Sequence, residues 1–183
     1  MGERHRFRAN WHDYEEGLYF VTICSHNKEY IFGYIKESQF TPSKLGKLID
    51  KAIKDLSSFY DDVQVCNYII MPNHVHLVIS VGIRLIVSSD AGITHTGNLG
   101  CLRPPRHGVV VEKYHHNSRL ATVIGAFKAG VTRNARIQGI DTLPCWQSRY
   151  HEHIIRNQQS LYNIMNYIDT NVENWGNDCF YRK

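Results

Sequence analysis

The sequence is 183 residues long, 43% hydrophobic and 21% charged, a balance that leaves room for one compact domain and excludes wholesale disorder or a rod-like chain. Its 21 Lys and Arg against 17 Asp and Glu leave a net charge of +4, a mild basic bias compatible with a polyanionic partner. No apolar stretch reaches the roughly 18–20 residues of a membrane span and the opening MGERHRFRAN lacks the apolar segment of a signal peptide, so no membrane contact and a cytoplasmic location are expected.

The five cysteines, at 24, 66, 101, 145 and 179, are odd in number and form no CxxC pair. Reduced thiols fit this pattern better than a disulfide framework or a zinc knuckle.

In chain order, residues 18–24 (LYFVTIC) and 31–35 are rich in aromatic and β-branched types around a polar SHNKEY turn, which predicts two strands joined as a hairpin. Thr41 and Pro42 offer an N-cap and a first-turn proline, and Leu45, Leu48, Ile49, Ala52, Ile53 and Leu56 recur at helical steps, the pattern of an amphipathic helix with one buried stripe. Residues 63–71 (VQVCNYIIM) and 75–81 (VHLVISV) read as two more strands around the turn-forming Pro72-Asn73.

Between about 82 and 116 the periodicity dissolves, and a flexible insertion is expected. A second helix resumes after Ser118, with Leu120, Val123, Ile124, Phe127 and Val131 on one side and Lys128, Arg133 and Arg136 on the other, and stops at Gly139. A loop with Trp146, a short strand around 153–155 and a last helix over about 159–171 complete the pattern. This order predicts a single domain over 1–183 of the α+β class, an antiparallel sheet of ferredoxin-like or RNA-recognition type with helices packed on one face.

The most informative segment is Met71-Pro72-Asn73-His74-Val75-His76. On a strand, His74 and His76 point to one face and Val75 and Leu77 to the other, so two imidazoles stand side by side above an apolar face. That geometry can hold a metal ion, and it can equally line a polar sheet face.

On the last helix Leu161, Ile164, Met165 and Ile168 form a core stripe, with Tyr167 and Asn171 as an i, i+4 pair on its flank. One reading projects the Asn171 amide oxygen toward a metal and the Tyr167 phenol toward a substrate held by it. The other is a half-buried tyrosine beside a helix-capping asparagine.

Four ordered blocks now stand together: Tyr19-Phe20-Val21-Thr22; Met71-Pro72-Asn73-His74-Val75-His76; residues 146–157 (WQSRYHEHIIRN); and Tyr167-Ile168 followed by Asn171. In this combination the chain resembles the single-tyrosine HUH transposases, and most of all the REP-associated tyrosine transposase branch. The resemblance runs from about residue 4 to residue 178, with 82–116 lacking familiar landmarks. One departure is that many relatives carry Asn-Pro after the final helix, where this chain has Asn171-Val172.

The resemblance implies an HUH nuclease fold in which His74, His76 and Asn171 hold Mg²⁺ or Mn²⁺ and Tyr167 is the catalytic nucleophile. It implies attack on single-stranded DNA, often beside a hairpin of a palindromic repeat, through a 5′-phosphotyrosine intermediate with release of a 3′-hydroxyl. Mixed nitrogen and oxygen ligation suits Mn²⁺ well and Mg²⁺ acceptably, and a metal can neutralise phosphate charge as a Lewis acid.

An active-site support role is expected for His153, which belongs to the family block, while His151 shares its i, i+2 spacing. Lys128, Arg133, Arg136, Arg149 and Arg156 are candidate phosphate contacts, though most surface cations solvate a helix face. Tyr150 and Tyr162 are rival nucleophiles: Tyr162 lies opposite Tyr167 on its helix and Tyr150 has no asparagine one turn later. Two alternatives accompany this reading: a non-catalytic module binding single-stranded nucleic acid through aromatics, and an HUH relaxase or replication-initiation nuclease. Either a monomer or a homodimer is compatible with the sequence.

Overall fold

The computed structural model describes residues 16–82, 85–87, 93–95, 118–141 and 144–181. Its elements run β1 (Gly17–Cys24), β2 (Gly33–Lys36), β3 (Gln39–Pro42), α1 (Lys44–Phe59), β4 (Val63–Met71), β5 (His74–Val81), β6 (Leu85–Val87), β7 (Ile93–His95), α2 (Arg119–Ile137), β8 (His151–Ile154) and α3 (Gln158–Thr170). The main sheet has four antiparallel strands in the order β4-β5-β1-β8. Of the expected insertion at about 82–116, β6 and β7 form a two-stranded ladder; its remaining residues from 96 on, His115 and His116 included, lie outside the described residues.

Period-two alternation divides β1 and β5 into two apolar faces. Tyr19, Val21, Ile23, Val75, Leu77, Ile79 and Val81 pack with Leu45, Ile49 and Ile53 of α1 and Leu120, Ile124, Phe127 and Val131 of α2. The opposite face carries Leu18 and Val78, which pack with Ile155 and with Leu161 and Ile168 of α3. The α+β class and the antiparallel sheet are therefore as expected. Two helices share one face, and α3 crosses the other because Leu18, Phe20 and Val78 need apolar cover there.

Two local expectations are corrected. The strand after β1 does not return as its hairpin partner: β2 pairs with β3, Gly33 opposite Pro42, in a separate ribbon, while β1 lies between β5 and β8. Thr41 and Pro42 therefore belong to β3, and Ser43 caps α1, its hydroxyl accepting from the Gly46 amide at 3.0 Å. A side chain at Gly46 would collide with the Phe32 carbonyl, so only glycine lets α1 start against the segment leading into β2. Ser118 caps α2 as expected, accepting from Ala121, and Gly139 closes it at φ 64°.

Candidate metal and nucleophile site

The site is built where β5 and β1 run side by side. Register places Thr22 opposite His76 and Cys24 opposite His74, so these side chains rise together on the face that α3 crosses. His74 and His76 are 0% and 2% exposed, with ring centroids 4.4 Å apart. Phe20 stacks on His76 at 5.0 Å, and Phe180 lies 4.5 Å from the His74 ring.

Each imidazole is held through Nδ1. The Asn73 amide nitrogen donates to the Lys28 carbonyl at 3.2 Å and the Phe180 carbonyl at 2.9 Å, which leaves Asn73 Oδ1 to accept from His74 Nδ1 at 2.9 Å. This network assigns the hydrogen of His74 to Nδ1 and the lone pair to Nε2. Thr22 Oγ1 makes the corresponding contact with His76 Nδ1 at 2.8 Å. Burial pushes His74 down to about 2, aided by the neighbouring His76, and burial pushes His76 down to about 3. Both rings are therefore neutral at physiological pH, the form that ligates metals.

From α3, the half-exposed Tyr167 reaches over this pair. Its hydroxyl lies 3.2 Å from His76 Nε2 and 3.4 Å from Asp178 Oδ2. Burial raises the Tyr167 pKa above the ordinary phenol value and the Asp178 carboxylate raises it further, while the Asn171 amide works in the opposite direction. Asn171 caps α3 at the αR values φ −64°, ψ −38°. Helical turns continue past it, the Asn174 amide donating to Thr170 and the Trp175 amide to Val172, a continuation that a proline at 172 would hinder and Val172 allows.

Two buried side-chain atoms among the described residues have no hydrogen-bond partner: His74 Nε2 and Asn171 Oδ1. Buried polar atoms are otherwise satisfied in native proteins, and both of these are lone-pair donors. A divalent cation satisfies such atoms at once. Among the described residues, His74, His76 and Asp178 also present ligand atoms within 4.8 Å of one another. Imidazole nitrogens with carboxylate and amide oxygens form a donor set suited to Mn²⁺ and acceptable to Mg²⁺.

The structure thus brings His74, His76 and Tyr167 together, with Asn171 buried one turn beyond Tyr167. Three further residues hold or face this cluster: Thr22, Asn73 and Asp178. Thr22 and Asn73 sit in recognised blocks, but their part depends on cross-strand register and a turn amide. Asp178 lies in an irregular tail with no periodic pattern to mark it.

His151 and His153 stand on β8, opposite Thr22 and Phe20 and exposed, outside the cluster of His74, His76 and Asp178. Tyr162 is 68% exposed, and Tyr150 packs against the α1 and α2 core.

Lys128, Arg133 and Arg136 line an open groove of about 390 Å³ with Trp146, Gln147 and Ser148. The Lys128 ammonium is half-buried and donates to the carbonyls of Gln147 at 2.6 Å and Ser148 at 3.3 Å. Its first role is therefore to hold that loop, while Arg133 and Arg136 are exposed. Arg149 and Arg156 are exposed on either side of β8. No described helix is long and apolar enough to cross a membrane.

No family model matches the chain. It is 32% identical over 180 residues to an uncharacterized protein of Haemophilus influenzae, covering 97% of this chain and 93% of that one. Among solved structures, a REP-associated tyrosine transposase bound to a REP hairpin superposes with a TM-score of 0.54 at 14% identity, covering 96% of this chain and 75% of the other. The chain therefore shares the fold of that transposase. By sequence, the chain belongs to one family with the Haemophilus influenzae protein.

Proposed function

We propose that this protein is a metal-dependent DNA-nicking and joining enzyme of the tyrosine transposase kind, with Tyr167 as nucleophile and His74, His76 and Asn171 as metal ligands. The observation that carries this reading is the approach of the Tyr167 hydroxyl to within 3.2 Å of a buried imidazole pair. The orphaned lone pairs of His74 Nε2 and Asn171 Oδ1 support the metal assignment.

A bound Mg²⁺ or Mn²⁺ would neutralise charge on the scissile phosphate and orient it as a Lewis acid. The residues supply the rest. Thr22 and Asn73 fix the ring orientations, and Phe20 braces His76. Tyr167 attacks phosphorus through its oxygen, the phosphorus–3′-oxygen bond breaks, and the DNA 5′ end becomes esterified to the tyrosine. The phenolic proton leaves to water as the bond to phosphorus forms, and the departing 3′-oxygen gains a proton from water. Because the ester bond is conserved, a second 3′ end can reverse the step without ATP.

The substrate proposed is single-stranded DNA beside a hairpin, in line with the REP hairpin bound by the structural neighbour. Arg133, Arg136, Arg149 and Arg156 are the proposed phosphate contacts, and His153 on β8 borders the site beside Phe20. A purely aromatic binding platform is the less favoured reading, since α3 covers the Leu18 and Val78 face that such a platform would expose. The test is chelation: cleavage of a hairpin-flanked single strand should stop in EDTA and in His74→Ala, and return on adding Mn²⁺ to the wild type. Cleavage that persists in EDTA would remove the metal from the proposal.

A further inference from the structure

The proposed His-His-Asn ligand set is electrically neutral, yet a carboxylate, that of Asp178, lies beside it. The tail after α3 folds back over the imidazoles. Trp175 is buried, the Phe180 carbonyl accepts from Asn73, the Phe180 ring covers His74, and the Lys28 ammonium lies 4.7 Å above the centre of that ring. One side chain, Asn73, thus fixes both the His74 tautomer and the position of the tail.

Within this tail Asp178 is oriented. Its Oδ1 accepts from the Phe180 amide at 2.7 Å, while Oδ2 faces the Tyr167 hydroxyl, and a carboxylate oxygen lies within 4.8 Å of the ligand atoms of both histidines. We propose that Asp178 is a further ligand of the cation held by His74 and His76, so that the C-terminal tail completes the metal site. This inference rests on the metal reading above and deepens it.

Ligand bonds of about 2.0–2.2 Å place donor atoms roughly 3–4 Å apart around one ion. The 4.8 Å span of these three donors therefore needs only a small contraction. The anion also supplies the negative charge that a hard divalent cation prefers. Binding the cation through Oδ2 and through His76 Nε2 draws both atoms away from the Tyr167 hydroxyl. Loading the site and holding the phenol are therefore competing uses of the same two acceptors.

Mn²⁺ titration calorimetry on the full chain tests this, with His74→Ala, Asp178→Asn and Phe180→Ala as variants. The expected result is one site in the wild type, none in His74→Ala, and roughly tenfold or more weaker binding in Asp178→Asn. Phe180→Ala should also bind more weakly, and combining it with Asp178→Asn should add little, because one presents the other. In the wild type, which needs no variant to fold, substoichiometric Mn²⁺ should broaden the Asp178 carboxyl carbon signal and leave Asp55 on α1 sharp. Wild-type affinity in Asp178→Asn, or a sharp Asp178 signal, overturns the role of Asp178 while the histidine site stands. No Mn²⁺ binding in the wild type overturns both.

Discussion

The Tyr167 hydroxyl lies 3.2 Å from Nε2 of His76, a residue 91 positions earlier in the chain. This contact joins the proposed nucleophile to a proposed ligand. The phenol then competes with the cation for the same nitrogen. Tyr167→Phe should therefore bind Mn²⁺ at least as tightly as the wild type, measured by calorimetry, and still bind single-stranded DNA. A tenfold loss of Mn²⁺ affinity would instead make the phenol part of the ligand set.

Burial holds His74 at about 2 and His76 at about 3, against about 6.5 in the unfolded chain. Between those values the unfolded state takes up protons that the folded state refuses. Stability is therefore fully present above about pH 6.5 and falls as the pH drops toward 3, by up to about 1.4 kcal/mol per pH unit for each histidine. Urea denaturation in EDTA should show a loss of roughly 2–4 kcal/mol between pH 7 and 5. Replacing either histidine with asparagine should flatten the profile, and a wild-type profile already flat over that range would contradict the burial argument.

Thr22 holds His76 Nδ1 at 2.8 Å. Thr22→Val keeps the shape and leaves that ring nitrogen buried without its partner, at a cost of about 1–3 kcal/mol in stability. Mn²⁺ affinity should drop by roughly 10–100-fold, the usual consequence of removing a partner that orients a ligand. Unchanged affinity with unchanged stability would make Thr22 a packing residue only.

Arg133 and Arg136 are exposed cations lining the groove beside Trp146, whereas Lys128 is engaged with loop carbonyls. Replacing both arginines with alanine should weaken binding of single strands irrespective of sequence. It should also reduce the slope of log affinity against log salt by roughly one unit per phosphate contact removed. Lys128→Met should lower the melting temperature through the 146–148 loop. An unchanged salt slope in the arginine variant would exclude this groove from the DNA path.

Much of the site could be read from local pattern, since alternation on a strand puts His74 and His76 on one face wherever the strand lies. Helical spacing likewise puts Tyr167 and Asn171 one turn apart. The rest depends on pairings that no local pattern encodes. That α3 covers the histidine face follows from the second apolar set of β1 and β5, visible only once β1 is known to lie between β5 and β8. The pairing of β2 with β3 is likewise a tertiary choice, and it moved the helix cap from Thr41 to Ser43. Asp178 follows the last helix in an irregular segment, placed by the Asn73 amide and the Phe180 ring rather than by any repeat.

Whether Tyr167 is the nucleophile is decided by incubating the protein with end-labelled single-stranded hairpin DNA and Mn²⁺, resolving it on a denaturing gel, and mapping any adduct by mass spectrometry. The expected product is a DNA 5′-phosphate esterified to Tyr167, absent in Tyr167→Phe. A covalent adduct at Tyr162 or Tyr150, or metal-dependent cleavage with no protein-linked intermediate, would contradict it.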